Sequence, residues 1–270
     1  MKYLLIIFIS FYSSLSFAQP NCNVFLWEGD TIKYKACKLS EKFTDYYQFD
    51  MKGQAILDSC IQMCPYYAWP YFEKASTYLK SGNILEWDYY INKSYEYDPI
   101  GTLPYRASCR AKYFADYEGT ISDINELDSL VSYDIGHTNL GTYHLNVWKG
   151  ICYKNLGKFN EAIKVIEHHI QNRPDAIGYY DYLHLGVCYQ KIGRHKKALE
   201  CLEKQIEYSD LAEIWYYSAI SFRELDKQKE FDISIKKAQE YMSRGQTLRG
   251  GFRTLDDEIF QFDLDKLKNN

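Results

Sequence analysis

A small residue recurs in the middle of apolar-striped segments at a spacing near 34 residues, and this period constrains the chain more than any other feature. Ala75, Ser108, Gly150, Gly186 and Ala219 mark it, at intervals of 33, 42, 36 and 33 residues. Around Gly150, residues 146–174 read as two short amphipathic helices. Gly150 and Tyr153 stand three apart in the first, Ala162 and Ile166 four apart in the second, with the turn Asn155-Leu156-Gly157-Lys158 between them and Pro174 at the end. A small residue lets a neighbouring helix approach closely, and an aromatic one turn later fills the groove beside it. Neither helix buries its stripe alone, so the unit needs copies on either side.

The copies are present. Tyr182, Leu185-Gly186, Tyr189, Gly193, Ala198 and Leu202 repeat the pattern downstream, followed by Trp215, Ala219, Phe222, Ile235 and Ala238. Upstream stand Tyr71, Ala75, Tyr78, Gly82, Ile91 and Pro99, then Tyr105, Ser108, Ala111, Thr120 and Ile124. The run from Tyr182 closely resembles the tetratricopeptide pattern Trp-x-x-Leu-Gly-x-x-Tyr, Ala-x-x-x-Phe, Pro, with tyrosine for tryptophan. The chain as a whole resembles the secreted, tyrosine-rich tetratricopeptide-repeat proteins of Gram-negative bacteria. The resemblance implies an all-α solenoid of about five helix-turn-helix repeats over residues 46–242, specific for fold and weakly specific for function.

Flanking segments depart from the period. Residues 1–18 have a positive start, an apolar core and small residues at Ser16 and Ala18, the pattern of an export signal cleaved before Gln19. Residues 19–45 include Val24-Phe-Leu-Trp, Glu28-Gly-Asp and Thr31-Ile-Lys-Tyr, which read as a β-hairpin bringing Cys22 and Cys37 together in a disulfide. Residues 243–270 read as a linker with Gly250-Gly251, then a capping helix opened by Thr254 and the acids Asp256, Asp257 and Glu258, with Ile259, Phe260, Leu264 and Leu267 inward. Exported protein, periplasmic or secreted, with no transmembrane span in the mature chain, is the expectation.

Few residues invite a chemical reading. A net charge of −4 leaves no electrostatic footprint for nucleic acid. Cys60 and Cys64 are one helical turn apart, without the partners a zinc or redox site needs, so packing or a local bridge is expected. Cys109, Cys152 and Cys188 follow the small residues of successive first helices, as buried small hydrophobes would. Ser234-Ile-Lys-Lys matches Ser-x-x-Lys, with no companion motif, and Glu167-His168-His169 is not the five-residue zinc-protease pattern. No phosphate loop, nucleophile elbow or dinucleotide fingerprint occurs, and neither catalysis nor a cofactor is expected.

Tetratricopeptide solenoids present the first helix of each pair to a peptide or protein partner along a concave groove. The positions where carboxylate-clamp members carry their first lysine and asparagine here hold Phe72 and Ser76, Tyr105 and Cys109, or Val147 and Ile151, which argues against that clamp. Placed on the family geometry, the groove would be lined by Phe72, Tyr105, Val147, Leu183 and Tyr216, with an exposed edge of Leu79, Lys112, Lys154, Gln190 and Arg223. Its cations suit an acidic segment or a free carboxylate. The leading expectation is an exported protein-interaction scaffold. A structural subunit of an envelope assembly is the alternative, and an enzyme with its site in the period-breaking insertion 131–142 a lesser one.

Overall fold

The computed structural model describes residues 21–138, 141–248 and 256–269, so the expected export signal and the Thr254 cap lie outside the described residues. The chain is all-α. It divides into two compact units, Met1–Asp98 and Pro99–Asn270.

In the first unit, α1 (Asn23–Trp27) and α2 (Thr31–Ser40) occupy the place expected for a hairpin. The glycine signal was real, but Gly29, at φ +81°, ends one helix and does not turn between two strands. Asp30 then caps the next, its carboxylate accepting from the Lys33 backbone N–H at 2.8 Å. Ala36, Cys37 and Ser40 are buried together, a helical spacing that overrides the β preference of Thr31-Ile32. Cys22 and Cys37 are disulfide-bonded across these two helices and pack with Cys64 and Tyr67. A short 3₁₀ segment, Glu41–Asp45, leads to α3 (Met51–Met63), α4 (Ala68–Lys80) and α5 (Ile84–Tyr97). Between α4 and α5 the Tyr78 and Tyr90 rings stack at 5.3 Å, and Lys74 pairs with Asp58 on α3 at 2.7 Å. Cys60 and Cys64 are free thiols in this core, and burial pushes Cys60 up to about 12.

The second unit holds the regular pairs: α6 (Pro99–Phe114) with α7 (Tyr117–Leu130), α8 (Leu145–Asn155) with α9 (Phe159–Asn172), α10 (Asp181–Lys191) with α11 (His195–Ile206), and α12 (Ala212–Glu224) with α13 (Gln228–Ser243). Each of the last three pairs also packs on the one before it, and α14 (Gln261–Asn269) packs on α13. Small residues set the approach within pairs. A Cβ on Gly150 would stand 2.4 Å from Ile166 Cγ1, and one on Gly186 3.1 Å from Leu202 Cγ. Arg106 grips Asp123 with two nitrogens, at 2.8 and 3.1 Å, and Arg110 adds a third contact at 3.0 Å, so the α6–α7 pair is tied by a compensated buried carboxylate. No helix among the described residues is long and apolar enough to cross a membrane.

Candidate functional site

The first helices α8, α10 and α12 share a face of the second unit, and the end of the chain lies on it. Lys154, near the end of α8, points its ammonium at Asp257, 2.6 Å away. His184 on α10 reaches the same carboxylate oxygen through Nδ1 at 2.6 Å. Because that oxygen belongs to a carboxylate, the ring donates from Nδ1, while Nε2 pairs with the Tyr143 hydroxyl at 3.0 Å. Asn155 donates to Asp256 at 2.7 Å. From α12, the Tyr217 hydroxyl donates to the Asp257 carbonyl at 3.3 Å, and Glu213 accepts the Ile259 backbone N–H at 3.5 Å.

The charges respond to this arrangement. Burial alone would raise the Asp257 carboxyl, but the Lys154 charge and the His184 hydrogen bond outweigh it and bring it down to about 2. Burial alone would lower the Lys154 ammonium, and Asp257 with Asp256 reverses that, leaving it raised. Glu213 is fully buried and its carboxyl is raised by that burial, against the backbone donors of Leu248 and Ile259. Asp257 has φ +67°, the left-handed region that a residue with a Cβ rarely adopts. Beyond it, Ile259, Leu264 and Leu267 sink among Ala212, Ala219, Ile235 and Ala238.

The C-terminal helix therefore starts later than the sequence suggests. It begins at Gln261, with Asp263 accepting from the Phe260 N–H at 2.8 Å, because two of the three acids expected in its first turn, Asp256 and Asp257, are spent on Lys154, His184 and Asn155. Phe260, expected inward, is 52% exposed.

The residues expected to line a groove are scattered in role. Val147 and Leu183 are 0% exposed, enclosed in the cores around Tyr143 and Leu248. Gln190 and Lys154, expected on an exposed edge, are buried at 9% and 8%. The Gln190 amide is tied to the Tyr217 carbonyl and the Ser221 hydroxyl, both at 2.7 Å. Tyr216 is half-buried in the core beneath α14, and Arg223 reaches the Leu267 carbonyl at 3.5 Å. Tyr105 and Lys112 are half-buried on α6, where the Lys112 ammonium stands 5.5 Å from the Tyr113 ring, and Phe72 is half-buried on α4 of the first unit. Sequence reasoning missed His184, Tyr143, Tyr217 and Glu213. The available signal was a histidine and a glutamate within apolar first-helix stretches, where a buried titratable group needs a partner.

The insertion folds back on its own pair. His137 and His144 form an antiparallel bridge, Thr138 donates to the Tyr143 carbonyl at 2.9 Å, and Tyr143 stacks on Trp148 at 5.5 Å. His144 caps α8: Nδ1 accepts from the Asn146 N–H at 3.1 Å while Nε2–H donates to Asp134 at 2.9 Å, and Asp134 also pairs with Arg173 at 2.7 Å. Burial and the neighbouring His169 ring, 4.2 Å away, bring His144 down to about 4. Asn139 and Leu140 of this insertion lie outside the described residues. Among the described residues no group of His, Cys, Asp and Glu side chains is arranged to hold a metal ion.

Comparison with known proteins adds the following. A profile of the tetratricopeptide repeat matches residues 143–175 and 182–210. No curated protein matches the sequence. Among solved structures, PilW, a widely conserved type IV pilus biogenesis factor, superposes with a TM-score of 0.57 at 12% identity, covering 77% of this chain and 94% of PilW. MamA from Desulfovibrio magneticus RS-1, residues 41 to the end, gives 0.55 at 17% identity, covering 66% of this chain and 96% of that one. At such identities the likeness speaks for fold alone. With the helix pairs, the glycine contacts and the matched repeats, it identifies the chain as an all-α protein of tetratricopeptide-repeat fold.

Proposed function

We propose that this protein is an exported, non-catalytic scaffold that binds an extended segment of another envelope protein on the face formed by α8, α10 and α12. The observation that carries the reading is that this face already holds a non-helical stretch of polypeptide, residues 256–260, through side chains drawn from all three first helices. Those contacts engage carboxylates and backbone groups, the handles that any extended acidic peptide offers. Tetratricopeptide folds serve protein–protein interaction, and the buried thiols of this unit are poor nucleophiles, with burial pushing Cys188 up to about 12. Export rests on the signal-like residues 1–18 and is compatible with the Cys22–Cys37 bond, since oxidising compartments preserve disulfides.

Crosslinking in intact cells, followed by peptide mapping, tests the reading. The expected result is a mature chain beginning at Gln19 in the periplasmic or secreted fraction, with crosslinks to one envelope protein mapping to α8, α10 or α12. A chain retaining Met1 in the cytoplasm defeats export. Crosslinks confined to the first unit or to the second helices move the interaction elsewhere and favour a structural subunit.

A further inference from the structure

We infer that the tail is a built-in competitor: the partner of the α8–α10–α12 face carries an acidic stretch followed by apolar residues, and it binds by displacing the chain's own Asp256–Ile259. The inference rests on the scaffold reading above and names the chemistry of its partner and the control of its site.

Three observations carry it. The first is the buried ammonium of Lys154, 8% exposed and held by Asp257. A buried cation without a counter-charge is strongly disfavoured, so the face, once vacated, favours another carboxylate over water or a neutral chain. His184 reinforces that choice, since its Nδ1–H is aimed at the same oxygen and its other nitrogen is fixed by Tyr143. The second is the pattern of the occupant. Two adjacent acids meet Lys154 and Asn155, and two residues after Asp257 the chain is pinned by Glu213 through its backbone while Ile259 turns into the core. The spacing specifies a ligand of two acids followed closely by an aliphatic residue.

The third is the backbone of Asp257. Its φ of +67° lies in the left-handed region, which aspartate visits more readily than most residues but still at some cost. A partner that presents its carboxylate to Lys154 from relaxed backbone avoids that cost. The tail offsets its handicap by being tethered, which gives it a high effective concentration at the face. Strained but tethered, it is an occupant that a specific ligand can replace and a random acidic peptide cannot.

The test uses the full chain and a labelled synthetic peptide of residues 254–267. Wild type is expected to bind the peptide weakly. Two tail variants, Asp257→Ala and the double substitution Ile259→Ala with Leu264→Ala, are expected to bind it at least tenfold more tightly. The same peptide with alanine at the position of Asp257 is expected to lose that gain. In wild type, millimolar peptide is expected to accelerate hydrogen exchange at the Ile259 amide, a readout that needs no variant to fold. If exchange there is unchanged by the peptide, and neither tail variant gains affinity, the inference is overturned. If an envelope partner crosslinks to α8, α10 or α12 while the tail amides stay protected, the inference alone falls and the scaffold reading stands. If the peptide displaces the tail but no partner crosslinks to this face in cells, the displacement holds and the scaffold reading falls.

Discussion

Gly150 has no room for a side chain. Its missing Cβ would lie inside the Ile166 side chain, at Cγ1, which moves aside only if the stiff χ1 of this β-branched residue turns, whereas at Gly186 the nearest Leu202 atom stands 0.7 Å further off, from 2.4 to 3.1 Å. Alanine in place of glycine favours a helix by about 1 kcal/mol, and overpacking costs about 1–3 kcal/mol. The two effects nearly cancel at Gly186 and do not at Gly150. Gly150→Ala should lower stability by about 1–2 kcal/mol in denaturant unfolding, with Gly186→Ala close to wild type. Equal midpoints for the two variants would show that α9 is free to move away. The same scale explains what could be read beforehand. Gly82, Gly157 and Gly193 take positive φ in the turns between paired helices, and glycine there is plain in the sequence. Ala115 and Asp226 take positive φ in the corresponding turns without being glycine; aspartate carries a weak hint of it, alanine none.

At the scale of elements, the insertion before α8 is held by a histidine that must stay neutral. The His144 ring already accepts from Asn146 through Nδ1, so a second proton has no acceptor there, and burial disfavours its charge. A base whose value falls from 6.5 to about 4 on folding contributes stability that is present above 6.5 and is lost as pH falls toward 4. The loss amounts to about 3 kcal/mol when complete. His144→Gln should therefore show a shallower fall in stability between pH 6.5 and 4 than wild type, followed by urea unfolding at each pH. Parallel curves would place the acid sensitivity in another group. The helix pairs themselves were legible from periodicity, since small residues and aromatics recur with the repeat. The extension at residues 21–40 was not, because β-prone residues and a glycine fit a hairpin as well as a helix end, and the decisive Asp30 cap is a single side chain.

For the molecule as a whole, the two units draw on different sources of stability. The described part of the first opens on a five-residue helix that has no buried residue of its own, held to α2 by the bond between Cys22 and Cys37, 15 positions apart in sequence. Closing a loop of that length stabilises by about 3 kcal/mol in the chain-entropy model. Reducing the bond, or making Cys22→Ser with Cys37→Ser, should lower the melting of the Met1–Asp98 unit by that order and leave hydrogen exchange in α8–α13 unchanged. Equal losses in both units would show that they unfold as one. The second unit has no bond of this kind among its described cysteines, which are free. The tail that binds it was unreadable in advance, because the residues it joins are distant in sequence and ordinary in type.

A tandem array of helix pairs normally behaves as a one-dimensional chain, where each repeat senses its neighbours and the last one frays first. Lys154 and Asp257 lie 103 residues apart and touch. That single closure turns the row from α8 to α14 into something nearer a ring, in which opening the final repeat also strips a buried cation on the first of them. Fraying is then no longer local, and this stretch should open in one step, all of it or none.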